Sequence, residues 1–245
     1  MQTTSHQGCV PLTLYGTGSS NVMKIVLMLE ELGERYAFEH VRIWRGEQFE
    51  PPVSTLNPNC KVPILVDARQ TGRQPVVVFE SGAILIYLAE QAERFLPTHG
   101  LVRYEILQWL MLQVSGLGPA FGQHIHFTRF EPKASDYAQA RYTSEAIRLA
   151  DVFETQLADR EYLCGDYSIA DVAAYPWLCR LEELKLPADR PHIQRWCAQI
   201  AQRPAAARME KRARELRKET AVLRSQASDQ DLDRLFGRGI YRRRI

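Results

Sequence analysis

Three short stretches in the first third of the chain carry side chains whose types and spacing could do chemistry. Thr17-Gly18-Ser19-Ser20-Asn21 is a run of turn and N-cap residues just ahead of Val22, Ile25, Leu29 and Leu32, which recur at helical spacing. A helix start stabilises an anion through its free N–H groups and its dipole, so a thiol held there is pushed toward thiolate, the form that reacts. Lowering a thiol pKa from about 8.5 to about 6.5 takes roughly 2.7 kcal/mol, an amount that one hydroxyl or amide hydrogen bond and a helix end supply together. The alternative is an ordinary cap. Val62-Pro63 sits near the start of a strand. It is either edge punctuation or a cis-proline that turns the Val62 N–H and C=O toward the backbone of a bound peptide. Glu80-Ser81 opens a largely apolar helix over Ala83 to Ala92. Either Ser81 is a plain N-cap, or its hydroxyl and the helix N–H groups take the carboxylate of a γ-glutamyl group while Glu80 takes the ammonium. A charged Glu80 beside a buried sheet edge then requires a cation nearby.

Other candidates carry less. Ser168-Ile169-Ala170-Asp171 is a capping-box pattern with a structural purpose. His124 and His126 are two residues apart, share no helix face and have no third ligand nearby, so no metal site is expected. The five cysteines, 9, 60, 164, 179 and 197, form no CxxC pair. A disulfide scaffold, a zinc site and a self-contained dithiol are all poor readings, and a reducing, cytoplasmic compartment fits better.

The elements that must position these residues change class part-way along the chain. Pro11 to Tyr15 reads as a strand ending at Gly16, then a helix stopped by Gly33, then a strand over Tyr36 to Ile43. Lys61 to Val66 and Pro75 to Phe79 read as two more strands, joined through a turn-rich stretch from Asp67 to Gln74. The expected unit is β-α-β followed by β-β-α, with helices packed on a four-stranded sheet. From about Leu101 the pattern is entirely helical. Ile106, Trp109, Leu110 and Gln113 begin a long helix that Gly116, Gly118 and Pro119 are expected to interrupt. Tyr142, Ala146, Leu149, Phe153 and Leu157 mark another stripe; Ile193, Trp196 and Ile200 mark a third, ended at Arg203-Pro204. The expected division is an N-terminal tail over 1–10, an α/β domain over 11–94, a helical domain over 100–210 and a basic extension over 211–245.

With 45% hydrophobic and 24% charged residues, the 245-residue chain has the composition of a globular protein with a true core. No apolar run is long enough to span a bilayer. The net charge of +2 is unevenly spread: Arg208 to Ile245 holds 12 Lys/Arg against 6 Asp/Glu, leaving 19 against 23 elsewhere. A basic tail on an acidic body suggests nucleic acid, but without interleaved aromatics a solvated or self-packing tail is the better reading.

The three stretches, in this order, resemble the glutathione transferase superfamily. The resemblance rests on Ser19 and Asn21, on Asn57-Pro58-Asn59-Cys60-Lys61-Val62-Pro63, and on Phe79-Glu80-Ser81-Gly82-Ala83-Ile84-Leu85-Ile86-Tyr87-Leu88. Ser168-Ile169-Ala170-Asp171 is similar to that superfamily's helical-domain capping motif. Gly46-Glu47-Gln48-Phe49, Gln108-Trp109, Gln113 to Pro119 and Ala140-Arg141-Tyr142 resemble its bacterial nu-class and fungal nitrogen-regulator-like branch. The likeness runs from about residue 11 to 207. It implies an α/β thioredoxin-like domain followed by an all-α domain, and an enzyme that binds glutathione or its disulfide as co-substrate. The reaction would be transfer to an electrophile or thiol–disulfide exchange, without catalytic Tyr or Cys; a non-catalytic glutathione-binding regulator of the same fold is the alternative. Ser19 or Ser20, with Asn21, would face the sulfur. Gln48, Val62, Pro63, Glu80 and Ser81 would hold the first glutathione, with Gln108 and Arg141 reaching over from the helices. A second-substrate pocket would lie between Tyr15 and Phe121, His124, Phe127 and Trp177. The resemblance also implies a homodimer. Ser20 stands where a proline is usual. Cys60, where Asn or Gly is usual, is either inert or forms mixed disulfides with glutathione.

Overall fold

The computed structural model describes residues 10–69 and 74–238. Cys9, the middle of the expected 67–74 connection and the chain beyond Arg238 lie outside the described residues. Strand β1 (Leu12–Gly16) alternates buried and half-buried positions and leads through the Thr17–Ser19 turn into helix α1 (Ser20–Leu32). Gly33, at φ 70°, closes α1 in the left-handed conformation that a glycine adopts without penalty. Strand β2 (Tyr36–His40) then pairs parallel with β1. The expected strand to Ile43 stops short, because Ile43–Arg45 and Glu47–Phe49 coil into two 3-10 turns about Gly46 (φ 80°). After a short helix α2 (Val53–Leu56), the Val62–Pro63 peptide bond is cis and strand β3 (Ile64–Asp67) begins beyond it. Strand β4 (Val76–Phe79) pairs with β3, and helix α3 (Ser81–Ala92) follows. The sheet order is β2-β1-β3-β4, with β3 antiparallel to both neighbours. The expected four-stranded mixed sheet with helices is therefore present.

The rest is helical: α4 (Leu101–Leu112), α5 (Gly118–Ile125), α6 (Asp136–Gln156), α7 (Ile169–Leu178), α8 (Pro191–Ala201), α9 (Pro204–Ser225) and α10 (Asp229–Phe236). The interruption expected at Gly116, Gly118 and Pro119 does not occur. A wide π turn over Gln113–Leu117 carries α4 into α5, and a second over His126–Phe130 extends α5. The wide turn makes room for Pro119, which has no N–H for the ladder and a ring that would crowd the preceding carbonyl. Ser168 and Asp171 form the expected capping box on α7. Asp171 also accepts from Leu163 N–H and Trp196 Nε1–H, so it ties two further segments to the helix it caps.

One continuous core runs from Leu12 and Leu14 on the sheet through α1 and α7 to Met209 and Leu216 on α9. Helix α9 passes without a break through residue 211, where the basic extension was expected to begin, and buries Ala205, Ala206, Met209, Ala213 and Leu216. The charge asymmetry of the sequence has a physical use here. Arg208 of the basic stretch pairs with Glu30 on α1, beside the Arg203–Glu31 pair at 2.6 Å just ahead of α9. No helix among the described residues is long and apolar enough to cross a membrane.

Candidate functional site

At the start of α1, Ser19 is the N-cap, and its Oγ accepts from Val22 N–H at 3.4 Å. Ser20 is turned away: its buried hydroxyl donates to the Pro176 carbonyl at 2.9 Å and accepts from Arg180 at 3.1 Å. Ser19 and Asn21 stay half-buried at the open end of the helix. Helix α9 crosses this turn so closely that a Cβ on Gly18 would sit 3.3 Å from Leu216 Cβ, which explains a glycine there.

At the start of α3 the cap is Glu80, at φ 70° and ψ 120°, and its carboxylate makes no capping bond. Such a backbone is costly for a non-glycine residue and is found where surrounding structure imposes it, commonly at ligand sites. Ser81 is the first helical residue, not the cap, so the plain-cap reading of its hydroxyl falls away. Glu80 is exposed, so the expected requirement for a cation beside it falls away; a buried cation, Lys24 on α1, lies beneath Ser81 instead. Its side chain is 1% exposed, and its Nζ donates to Ser81 Oγ at 3.1 Å and to Gln113 Oε1 at 2.6 Å. Burial lowers the Lys24 pKa to about 7, against the opposing pull of Glu80. Gln113 comes from the π turn of the helical layer, and its amide fits because Gly118 has no Cβ, which would lie 3.2 Å from Nε2. Neither Lys24 nor Gln113 was anticipated as a site residue. The one signal was a lone lysine inside an otherwise apolar helix.

Between the two helix starts lies the cis Val62–Pro63 bond, with Val62 half-buried and packed beside Val41, Val53, Ile64 and Tyr15. Asn57 shapes the approach: its amide donates to Lys61 O at 2.8 Å, and its Oδ1 accepts from Asn59 N–H at 2.9 Å. This leaves Cys60 half-buried at φ 53°. Gln48, in the second 3-10 turn, is 4% exposed, and its Oε1 has no partner among the described residues.

A family model described as "Glutathione S-transferase, N-terminal domain" matches residues 18–91, and "Glutathione S-transferase, C-terminal domain" matches residues 107–204. The chain belongs to the glutathione S-transferase family. It is 40% identical over 216 residues to the disulfide-bond oxidoreductase YghU of Escherichia coli K12, covering 81% of this chain and 73% of that one. A glutathione transferase family member from Pseudomonas fluorescens Pf-5, with two glutathione bound, superposes with a TM-score of 0.77 at 35% identity over 84% of this chain and 94% of its own. A Pseudomonas putida glutathione transferase with one glutathione disulfide bound per subunit gives 0.77 at 35% identity, covering 84% and 93%.

In this transferase chain the remaining expected residues are spread more widely. Gln108 is exposed on α4. Arg141 is exposed on α6 and pairs with Glu145 at 3.3 Å, a carboxylate that Arg148 and Arg141 hold down at a pKa of about 2. Neither bonds to a residue of the two helix starts. Phe121 is fully buried and meets Trp177 edge-on at 6.2 Å. His124 is locked, its Nε2–H donating to Leu184 O at 3.0 Å and its Nδ1 pairing with Thr143 Oγ1 at 2.9 Å. Phe127 stacks on Tyr142 at 5.7 Å. A cavity of about 500 Å³ shares only His124 with this set; it opens beside Thr128, Gln139 and Thr143. No group of three His, Cys, Asp or Glu among the described residues could hold a metal.

The structure brings up a different aromatic set. Phe236 of α10 meets Trp44 at 6.0 Å, His126 at 5.0 Å and Phe130 at 5.5 Å. The Arg224 guanidinium lies 4.7 Å from the Phe130 ring centre. Arg45 donates to Gln226 Oε1 at 3.0 Å, and Arg234 pairs with Glu50 at 3.3 Å. Residues 224–236 thus form a roof joining the 3-10 turns of the sheet domain to the π turn after α5.

Proposed function

We propose that the chain is a glutathione-dependent enzyme that carries out thiol–disulfide exchange. The observation that carries this reading is the pair of open helix starts, at Ser19–Asn21 and at Glu80–Ser81, on either side of a cis Val62–Pro63. The first suits a sulfur and the second an amino-acid end, at the two ends of one peptide ligand. With no CxxC in the chain, the sulfur must come from bound glutathione. The names of YghU and of the glutathione- and glutathione disulfide-bound neighbours support the same assignment.

In this reading the Ser19 hydroxyl and Asn21 amide, with the N–H groups of α1, hold the thiolate of the first glutathione. Ser20 is occupied by Pro176 and Arg180. The thiolate attacks one sulfur of a substrate disulfide, forming a mixed disulfide and releasing the other sulfur as a thiol. A second glutathione thiolate then attacks the glutathionyl sulfur, giving glutathione disulfide and a second thiol. Two electrons pass from two glutathiones to one disulfide. Gln48, Val62, Glu80 and Ser81 keep the first tripeptide in place. Ultraviolet difference absorbance on adding glutathione at neutral pH tests this: a thiolate band is expected, along with glutathione-dependent reduction of a small dialkyl disulfide. A bound glutathione that stays a thiol removes the mechanism.

Several finer assignments belong to the same proposal. The protein is a homodimer, a reading supported by exposed apolar side chains on β4 (Val76, Val77, Phe79) and on α4 (Tyr104, Met111); sedimentation of the full chain decides it. The two domains divide near residues 95–100, where the class of element changes. The cytoplasm suits the free Cys60, Cys164, Cys179 and Cys197. The tail acts within the molecule and not on nucleic acid, a reading supported by the pairing of Arg208, Arg234 and Arg238 with Glu30, Glu50 and Glu131.

A further inference from the structure

We infer that Lys24 is a positioning residue for glutathione: from beneath the site it turns the Ser81 hydroxyl into an anion donor and supplies the positive charge that lets Glu80 and the ligand carboxylate lie side by side. The inference rests on the glutathione reading above.

The geometry leaves the Ser81 hydroxyl little choice. Its Oγ accepts from Lys24 Nζ, so its own proton points away from Lys24. Ser81 is not the cap of α3, and the Glu80 side chain caps nothing. The Ser81 O–H and the free N–H groups of the first turn of α3 are therefore left available to the same anion. Gln113 is the second anchor of Lys24, through a 2.6 Å bond from a different domain. It fixes the ammonium from behind, so the contact made at Ser81 is directional.

A lysine buried this deeply keeps its charge only if negative groups surround it. Glu80 is the charged group whose field reaches it. The other charged groups nearest that end of α1, and those paired with its acids, are held by partners of their own. Asp171 of α7 is held by Ser168, Leu163 and Trp196. Arg180, just past α7, reaches Ser20 one turn earlier but is itself paired with Glu183. Arg203 and Arg208, at the start of α9, sit on Glu31 and Glu30 at the far end of α1. With its pKa lowered to about 7 by burial, Lys24 is only partly charged at neutral pH. A γ-glutamyl carboxylate arriving at Ser81 favours the charged form and raises that pKa. Binding then takes up a proton, and affinity falls as the pH rises above about 7.

Calorimetry with S-methylglutathione, which has no thiol to titrate, tests this between pH 6 and 8 in buffers of differing ionisation enthalpy. The wild-type protein is expected to take up a fraction of a proton on binding and to bind more weakly at pH 8 than at pH 6. Lys24→Met should bind about tenfold to a hundredfold more weakly, the range for a lost charge-assisted contact, with no proton uptake. Lys24→Arg, which stays charged at every pH used, should recover much of the affinity but not the pH slope. Should Lys24→Met fail to fold, the Lys24→Arg slope alone decides. Wild-type affinity and slope retained in a folded Lys24 variant overturn the role of Lys24 and leave the glutathione reading standing. No binding by the wild-type protein overturns both.

Discussion

Lys24, Ser81 and Gln113 meet through bonds of 3.1 and 2.6 Å at the inner end of the site, away from solvent, whereas Phe236 meets Trp44, His126 and Phe130 at the outer rim by ring edges and faces, steadied by half-exposed arginines. The floor is directional and poorly screened, so the loss of either bond to Lys24 is felt strongly, while Gln113 Nε2 stays buried without a partner among the described residues. The roof is apolar contact with ion pairs in high dielectric, where single contacts are worth little and salt weakens them. The difference separates two kinds of contact: buried directional bonds at the floor, and exposed aromatic and ionic contacts at the roof.

The strongest challenge to this contrast falls on the floor. Ser81→Ala is expected to weaken glutathione binding by about 1–3 kcal/mol in calorimetry. Unchanged affinity would take Ser81 out of the site and end the comparison. At the sulfur end, Asn21→Ala should raise the pKa of the bound thiol by about one unit while leaving folding intact. A thiolate titration identical to wild type would reduce Asn21 to a cap. Ser19→Ala and Ser20→Ala divide the neighbouring hydroxyls. The first should lower turnover; the second should cost about 1 kcal/mol of stability in denaturant while turnover persists. Equal losses of turnover would mean that the hydroxyl buried against Pro176 also serves the sulfur.

Effects at the roof should be smaller and of a different kind. Phe236→Ala removes aromatic contacts worth about 1 kcal/mol. The expected result is faster proteolysis between α9 and α10 and quicker glutathione exchange, with equilibrium affinity little changed. A large loss of affinity would show that α10 holds ligand directly. Smallest of all, raising the salt from about 0.1 M to about 1 M shortens the screening length from about 10 Å to about 3 Å. It should increase protease sensitivity at α10 while leaving the Lys24 end unaltered.

How well the chain could be read in advance follows the same division. Strand, turn and cap residues at 12–21, the proline at 63 and the acidic-serine pair at 80–81 are local patterns, and the structure has a capped helix start, a cis bond and a second helix start at those positions. Even there, local reading stopped short: it could not tell that Ser81 is not the cap, because that depends on Glu80 adopting φ 70°. It also stopped short at Ser19 and Ser20, whose difference is a contact with residues 176 and 180. Gly116, Gly118 and Pro119 read as a break because a π turn leaves no simple mark in residue spacing. The cation expected beside Glu80 rested on burial that Glu80 does not have, and the buried Lys24 beneath Ser81 was not legible, since a lysine in a helix ordinarily faces water.

By itself, the sequence determined the order of elements, the two helix starts, the cis-capable proline and the acidic body with its basic tail, because each is set by neighbours a few residues apart. Only the tertiary structure decided which serine is free, which groups Lys24 binds and what α10 packs against. Those outcomes depend on side chains as distant in sequence as Lys24 and Gln113, or Arg45 and Gln226, sharing one small volume. Such meetings follow from how the whole core packs, and no short window of residues contains them.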